Sequence, residues 1–258
     1  MTKVLKVALT AVLLSATTSA LATPSTTFWT PATTYTQPYL VPHLTYDTYV
    51  GEQGLLQPDY GLTIGVLPFE KLQGEIGVDV FQPGYVKDNL YLNGKLTVPE
   101  GAFADWQPGV SFGIQSVGFK KDYSDYDHLH FTVAKTFPVV GNVAVGGYYG
   151  LNKTLYTSSA GKVEQAGFHA AWTSPDIDVK AAGLDKIVLL ADYASGKNYF
   201  GALGLGVGFY FTPAIDLLVG PVFVNDKDLY KGGYGSDFFW SVQLDVDFDL
   251  RKPAPAAK

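Results

Sequence analysis

Histidine and carboxylate side chains recur at two-residue spacing in this chain, and that spacing decides what chemistry is open to them. His128 and His130 stand at i and i+2, as do Asp245 and Asp247. On a β-strand, residues two apart share a face, so each pair presents two like groups side by side. Two imidazoles so placed can bind a metal. The plainer alternative is a pair of ordinary polar residues, because no cysteine and no dense carboxylate cluster accompanies them. The two aspartates would concentrate cations beside them, with solvation or a local ion pair as the alternative for each carboxylate. Covalent catalysis needs a nucleophile and a base in mutual reach. The nearest fragment, His130-Phe131-Thr132, lacks a serine, so no enzyme is expected and no cofactor is implied.

Strands must position these residues. From Phe238 to Leu250, the residues Phe238, Trp240, Val242, Leu244, Val246, Phe248 and Leu250 alternate with Phe239, Ser241, Gln243, Asp245, Asp247 and Asp249. A helix would scatter the aspartates around its circumference, whereas a strand gathers them on one side. Leu72 to Val80 alternates in the same way, with Gln73, Glu75 and Asp79 together on one side. Weaker versions recur along the chain and predict twelve strands at 39–50, 58–67, 71–82, 87–97, 109–119, 126–136, 142–151, 163–173, 184–193, 197–211, 215–224 and 236–250. Tight turns such as Pro68-Phe69-Glu70, Pro138 to Asn142 and Thr212-Pro213-Ala214 follow even-numbered strands. Polar loops such as Lys120 to Asp125 and Asn225 to Gly235 follow odd-numbered ones. Two even connections, Pro99 to Pro108 and Ser174 to Gly183, are longer and are expected to hold a short helical turn.

What occupies each face separates a membrane barrel from a soluble sandwich, which would turn Lys, Glu and Thr to water. Here the less apolar face is largely small: Gly204, Gly206 and Gly208 oppose Leu205, Val207 and Phe209, while Gly61 and Gly65 oppose Leu62 and Ile64. Glycine weakens a strand unless crowding demands it, as it does inside a closed barrel. Tyr60, Trp172, Phe211, Phe238 and Trp240 fall at strand ends, where interfacial girdles belong. Lys135 falls in phase with the outward Leu129, Phe131 and Val133 and is expected to snorkel from the strand end.

Composition agrees with a membrane location and excludes other classes. Charged residues are 16%, against about 25% in a soluble domain. Cys is 0, so neither disulfides nor thiolate metal sites are available. Net charge is −6 with no Lys/Arg run, which argues against nucleic acid as a partner. Lys3 and Lys6 precede the apolar stretch Val7 to Leu14 and the small-residue Ala20-Leu21-Ala22, predicting a signal peptide over residues 1–22. No later stretch is long and apolar enough for a spanning helix.

With this leader, no Cys, and a final amphipathic strand carrying Phe248, the chain resembles Gram-negative outer-membrane β-barrels, specifically twelve-stranded porin-like proteins. The resemblance implies an all-β closed antiparallel transmembrane barrel over residues 38–250 with short periplasmic turns, located in the bacterial outer membrane. It also implies lipid and small solutes or ions as partners, and the barrel-assembly machinery during biogenesis. Members of that class end on an aromatic residue, and this chain departs from the pattern with a tail over residues 251–258.

By strand parity the lumen would be lined by Asp47, Asp59, Glu75, Asp79, Asp192, Asp216, Asp245 and Asp247 against Lys95 and Lys186, with His43 and His169 also inward. Such a lumen is negative and would favour cations or neutral solutes. Residues 23–37 are Thr-rich and uncharged, with Phe28 and Trp29 as a candidate lumen plug. Fully extended they reach about 50 Å, more than the apolar height of a barrel. The alternative for this segment is a loose periplasmic leader. The expected function is passive diffusion of small hydrophilic solutes. Alternatives are a non-conducting scaffold or sleeve for another envelope component, and a secreted soluble β-protein.

Overall fold

The computed structural model describes residues 25–52, 56–83, 87–230 and 237–251. The expected signal peptide, and all of the tail beyond Arg251, lie outside them. Thirteen strands are described: β1 (Pro42–Val50), β2 (Leu56–Gly65), β3 (Gln73–Phe81), β4 (Leu90–Val98), β5 (Gly109–Val117), β6 (His128–Phe137), β7 (Gly141–Gly150), β8 (Ala166–Thr173), β9 (Ile177–Ala181), β10 (Leu184–Ala194), β11 (Ala202–Thr212), β12 (Ile215–Val224) and β13 (Phe238–Asp247). Twelve of them form a closed antiparallel barrel, each paired with its neighbour in sequence. Two departures complete the circuit: β8 pairs with β10, and β13 returns to β1 through His43↔Asp247 to Val50↔Trp240. No helix among the described residues is long and apolar enough to cross a membrane, so any crossing falls to the strands.

The thirteenth strand corrects one expectation. Residues 174–183 hold no helical turn; Ile177–Ala181 instead pairs with the first residues of β10 as a small hairpin outside the ring. Ala182 and Gly183 at its tip both have positive φ, 54° and 80°, as a two-residue primed turn requires. Pro99 to Pro108 holds turns, and among the described residues one short helix, α1 (Lys227–Tyr230), lies in the loop between β12 and β13.

Alternation along each strand sorts the residues between lipid side and lumen. In β13, Phe239, Ser241, Gln243, Asp245 and Asp247 are buried while Trp240 and Leu244 are exposed. Around the barrel, Leu62, Leu96, Phe112, Phe131, Phe168 and Leu205 form part of the same outward apolar belt. An apolar belt of this extent would aggregate in water and is stable against lipid tails. Tyr60 and Trp240 mark it near the loop rim, where most connections are long. Phe211 and Trp172 mark it near the opposite, terminal rim, where β1 begins and β13 ends; the Trp172 indole donates to the Val140 carbonyl at 2.7 Å. Lys135 does not snorkel free: its ammonium meets Glu100 at 2.8 Å and the Asp105 carbonyl at 3.0 Å, both in the 99–108 connection.

Candidate functional site in the barrel lumen

The lumen has two unlike sides. The first is built on β12, β13 and β1 to β4, whose inward positions carry the carboxylates. Cross-strand register places Asp47 opposite Asp59 and Asp216 opposite Asp245. Asp79 lies one strand over and two residues along from Asp59, since Gly61 is its register partner. Neutral and cationic neighbours then divide these acids into held and free. His43 sits between two of them, its Nδ1 2.9 Å from Asp247 and its Nε2 3.2 Å from Asp245. Thr45 donates to Asp245 at 2.9 Å, and the Gln37 side-chain amide donates to Asp247 at 2.8 Å. Asn93 donates to Asp79. Lys95 and Glu75 form a buried pair at 3.2 Å. Such a pair cancels its own charge and leaves the aspartates to set the sign of the lumen. Asp47, Asp59, Glu75, Asp79, Lys95 and Asp245 line a cavity of about 230 Å³.

The second side is filled. Residues 25–37 run inside the barrel, and β10 to β13 receive them with an apolar inner wall of Val188, Leu190, Leu218, Val222 and Phe239 around Phe28. The seat for Phe28 is made by absent side chains: a Cβ on Gly206 would stand 2.7 Å from its ring, and one on Gly204 2.4 Å from Asp192 and 2.9 Å from the same ring. Asp192 then accepts the backbone N–H groups of Phe28, Trp29 and Thr30 at 3.1, 2.8 and 2.7 Å, together with the Thr30 hydroxyl at 3.0 Å. Three amides on one buried carboxylate fix both the bend and the position of the segment. Other polar groups of the segment, and donors to its carbonyls, bond around the ring. Gln243 donates to the Phe28 carbonyl, Lys95 to that of Ser25, Ser111 to that of Thr33, and the Trp29 indole to that of Phe200. At the terminal rim the Gln37 amide meets Glu75, and the chain crosses so close to Gly65 that a Cβ there would stand 2.2 Å from the Gln37 carbonyl.

The histidines on β6 and β8 face inward near the loop rim. His128 Nδ1 lies 2.7 Å from the Tyr156 hydroxyl, in a group of rings with Tyr148 and Phe200. His169 Nε2 pairs with Thr132 at 2.9 Å. His128 and His130 share a face but have ring centroids 6.3 Å apart. Among the described residues no group of three or more His, Cys, Asp or Glu is arranged to hold a metal ion. Lys186 points inward at the terminal rim, bound to Asp176 at 2.8 Å and lying 4.7 Å over the Tyr210 ring.

Several lumen residues had no distinguishing signal in the sequence. Asn93, Thr45 and Gln243 were visible only as inward polar positions, and nothing in one strand says that its neighbour carries the acid it will bond. Tyr156 sits in a loop and reaches His128 through the fold of residues 151–165, which alternation does not describe.

No family model matches the chain, and no curated protein is similar to it in sequence. Solved structures do share its shape. A NanC porin structure superposes with a TM-score of 0.50 at 10% identity, covering 81% of this chain and 100% of that one. An outer membrane channel from Pseudomonas putida F1 gives 0.46 at 10% identity over 84% and 99%. Salmonella typhi OmpF in complex with daunomycin gives 0.39 at 10% identity over 81% and 96%. At these identities the likeness is one of fold: a twelve-stranded barrel of the outer-membrane porin type.

Proposed function

We propose that this barrel is a diffusive outer-membrane channel whose conducting path runs along the acidic side of the lumen and favours cations or neutral small solutes. The observation that carries this reading is the cavity of about 230 Å³ left beside residues 25–37, with aspartates on its wall that no ammonium among the described residues neutralises. Fixed negative charge in a narrow, low-dielectric bore raises cation concentration and lowers that of anions. Residues 25–37 act in this reading as a resident constriction, with Phe28 and Trp29 at its widest part. No covalent step is needed. Residues 1–22 act as the secretion leader, and the barrel-assembly machinery inserts the chain.

Planar-bilayer recording across a KCl gradient tests the proposal. A reversal potential displaced toward the K⁺ equilibrium value is the expected result, and replacing Asp47 and Asp59 by Asn moves it toward zero. Replacing Asp245 and Asp247 has a smaller effect, because His43 and Gln37 already hold those two carboxylates. A reversal potential at zero in the parent protein overturns the cation preference. Absence of single-channel steps favours the sleeve, a reading that the filled side of the lumen would suit.

A further inference from the structure

We propose that the acidic cavity is a binding site for linear aliphatic amines carrying two or more ammonium groups, such as diamines and polyamines. The inference rests on the cation-preferring channel above and names the class of cation that fits it best.

Asp245, Asp47, Asp59 and Asp79 sit on four consecutive strands, β13, β1, β2 and β3, as an arched row: Asp47 and Asp59 are register partners, and Asp245 and Asp79 both lie level with Thr45, two residues nearer the rim where β1 begins. Neighbouring strands are about 4.8 Å apart, so the row presents negative charge at repeated intervals of several ångströms. One compact ion neutralises a single step of such a row, whereas ammonium groups joined by short methylene linkers can follow it. Beside the row, the same cavity is lined by Phe28, Trp29, Tyr49 and Phe200, with Trp29 edge-on to Tyr49 at 5.9 Å. Aromatic faces take both methylenes and ammonium groups, and a simple metal ion has no use for them.

The polar atoms show where donors are missing. Among the described residues Asp47 Oδ1, Asp59 Oδ1 and Asp245 Oδ2 have no hydrogen-bond partner, and Asp245 is only 1% exposed. Independently of the acids, His130 lines the same cavity at 4% exposure with its Nδ1 unpartnered. Orphaned acceptors at this depth call for an incoming donor. The lysine lining the cavity cannot supply one, because Lys95 is already bound to Glu75 and to the Ser25 carbonyl.

Spermidine added to one side of the full-length channel in a bilayer tests the inference. It is expected to block K⁺ current at one voltage polarity, at a concentration about tenfold lower than tetramethylammonium or Mg²⁺ requires. Asp47→Asn with Asp59→Asn raises the half-blocking concentration by about tenfold or more. Tyr49→Leu weakens the amine block more than Tyr49→Phe does, which separates ring contact from the hydroxyl that Tyr49 donates to Asp47. Calorimetric titration of spermidine into the detergent-solubilised protein supplies the same answer if a variant does not conduct. Equal block by Mg²⁺ and tetramethylammonium, or no heat of binding, overturns the amine site and leaves the cation channel standing. A parent channel without cation preference overturns the functional reading itself.

Discussion

The two sides of the lumen are built from the same antiparallel wall and finished in opposite ways. Along β10 to β13, apolar residues and glycines receive residues 25–37, and the acid at their centre, Asp192, is consumed by three backbone amides and a hydroxyl. Along β1 to β4, the acids line open volume and accept no backbone amide of the segment except at Glu75; unpartnered oxygens occur on both sides, Asp192 Oδ1 among them. The difference lies in what the carboxylate faces. A buried carboxylate that accepts several N–H groups works as a structural anchor, while one that faces a water-sized space acts on whatever passes. Charge count alone does not separate the two, because Asp192 and Asp47 look alike in sequence.

The largest predicted effect comes from removing the contrast altogether. Deleting residues 23–37 empties the filled side, and single-channel conductance is expected to rise at least about twofold, since bore sets the width of the water path. Unchanged conductance would place the segment outside the ion path. Next is Gly206→Val, whose side chain would occupy the space of the Phe28 ring. It should mimic the deletion in conductance and lower thermal stability by about 1–3 kcal/mol, as overpacking does. Gly61→Ala on the open side is the milder counterpart: its Cβ would stand 2.8 Å from the carboxylate tip of Asp79, which can swing aside, and 3.3 Å from the Thr45 Cβ. Thermal melts of the two variants should differ in that order.

Asp192→Asn sharpens the comparison further. The amide keeps one oxygen but loses the charge, so hydrogen bonds worth about 1.5–3 kcal/mol each in charge-assisted form weaken. Open-channel noise and protease access to residues 25–30 should rise while K⁺/Cl⁻ selectivity holds. Asp47→Asn should do the reverse. The smallest effect belongs to the loop rim. There burial raises the pKa of Asp226, but donors from the Ser159 backbone and hydroxyl and the Asp228 backbone outweigh it and hold its carboxyl below the ordinary range. A depressed carboxyl stabilises its contacts above its unfolded pKa and loses them as pH falls through the folded one. The protection of the Ser159 amide relative to its intrinsic exchange rate should therefore be high at neutral pH and fall below about pH 4, the ordinary aspartate value. Asp226→Asn should show low protection throughout.

Much of this architecture was legible because strand parity is a local property. Phe238 to Asp247 alternates so strictly that its inward and outward residues could be assigned without coordinates, and the glycines at 204, 206 and 208 announced crowding on the inner face. Phe28 and Trp29 could be named as a candidate plug, but that Gly204 and Gly206 form the seat of Phe28 was not legible. Phe28 lies far away in sequence, and an uncharged Thr-rich stretch states only how far it can reach. The same limit hid the pairing of Asp192 with the segment's amides, since backbone donors carry no sequence signature. The strand at Ile177–Ala181 is a different case. Ile177, Val179 and Ala181 alternate with Asp178 and Lys180, and Gly183 follows, so the hairpin signal was present within what reads as a connection.

Gln37 touches both ends of the circuit, its backbone on Glu75 in β3 and its side chain on Asp247 in β13. The first and last strands also meet there, joining residues some two hundred positions apart. A chain that must gather so distant a pair folds slowly, since entropy is spent before any contact rewards it. Once the ring shuts around residues 25–37, the segment and the wall hold each other in place. Zipping up the cylinder and stowing its occupant are thus a single act of assembly.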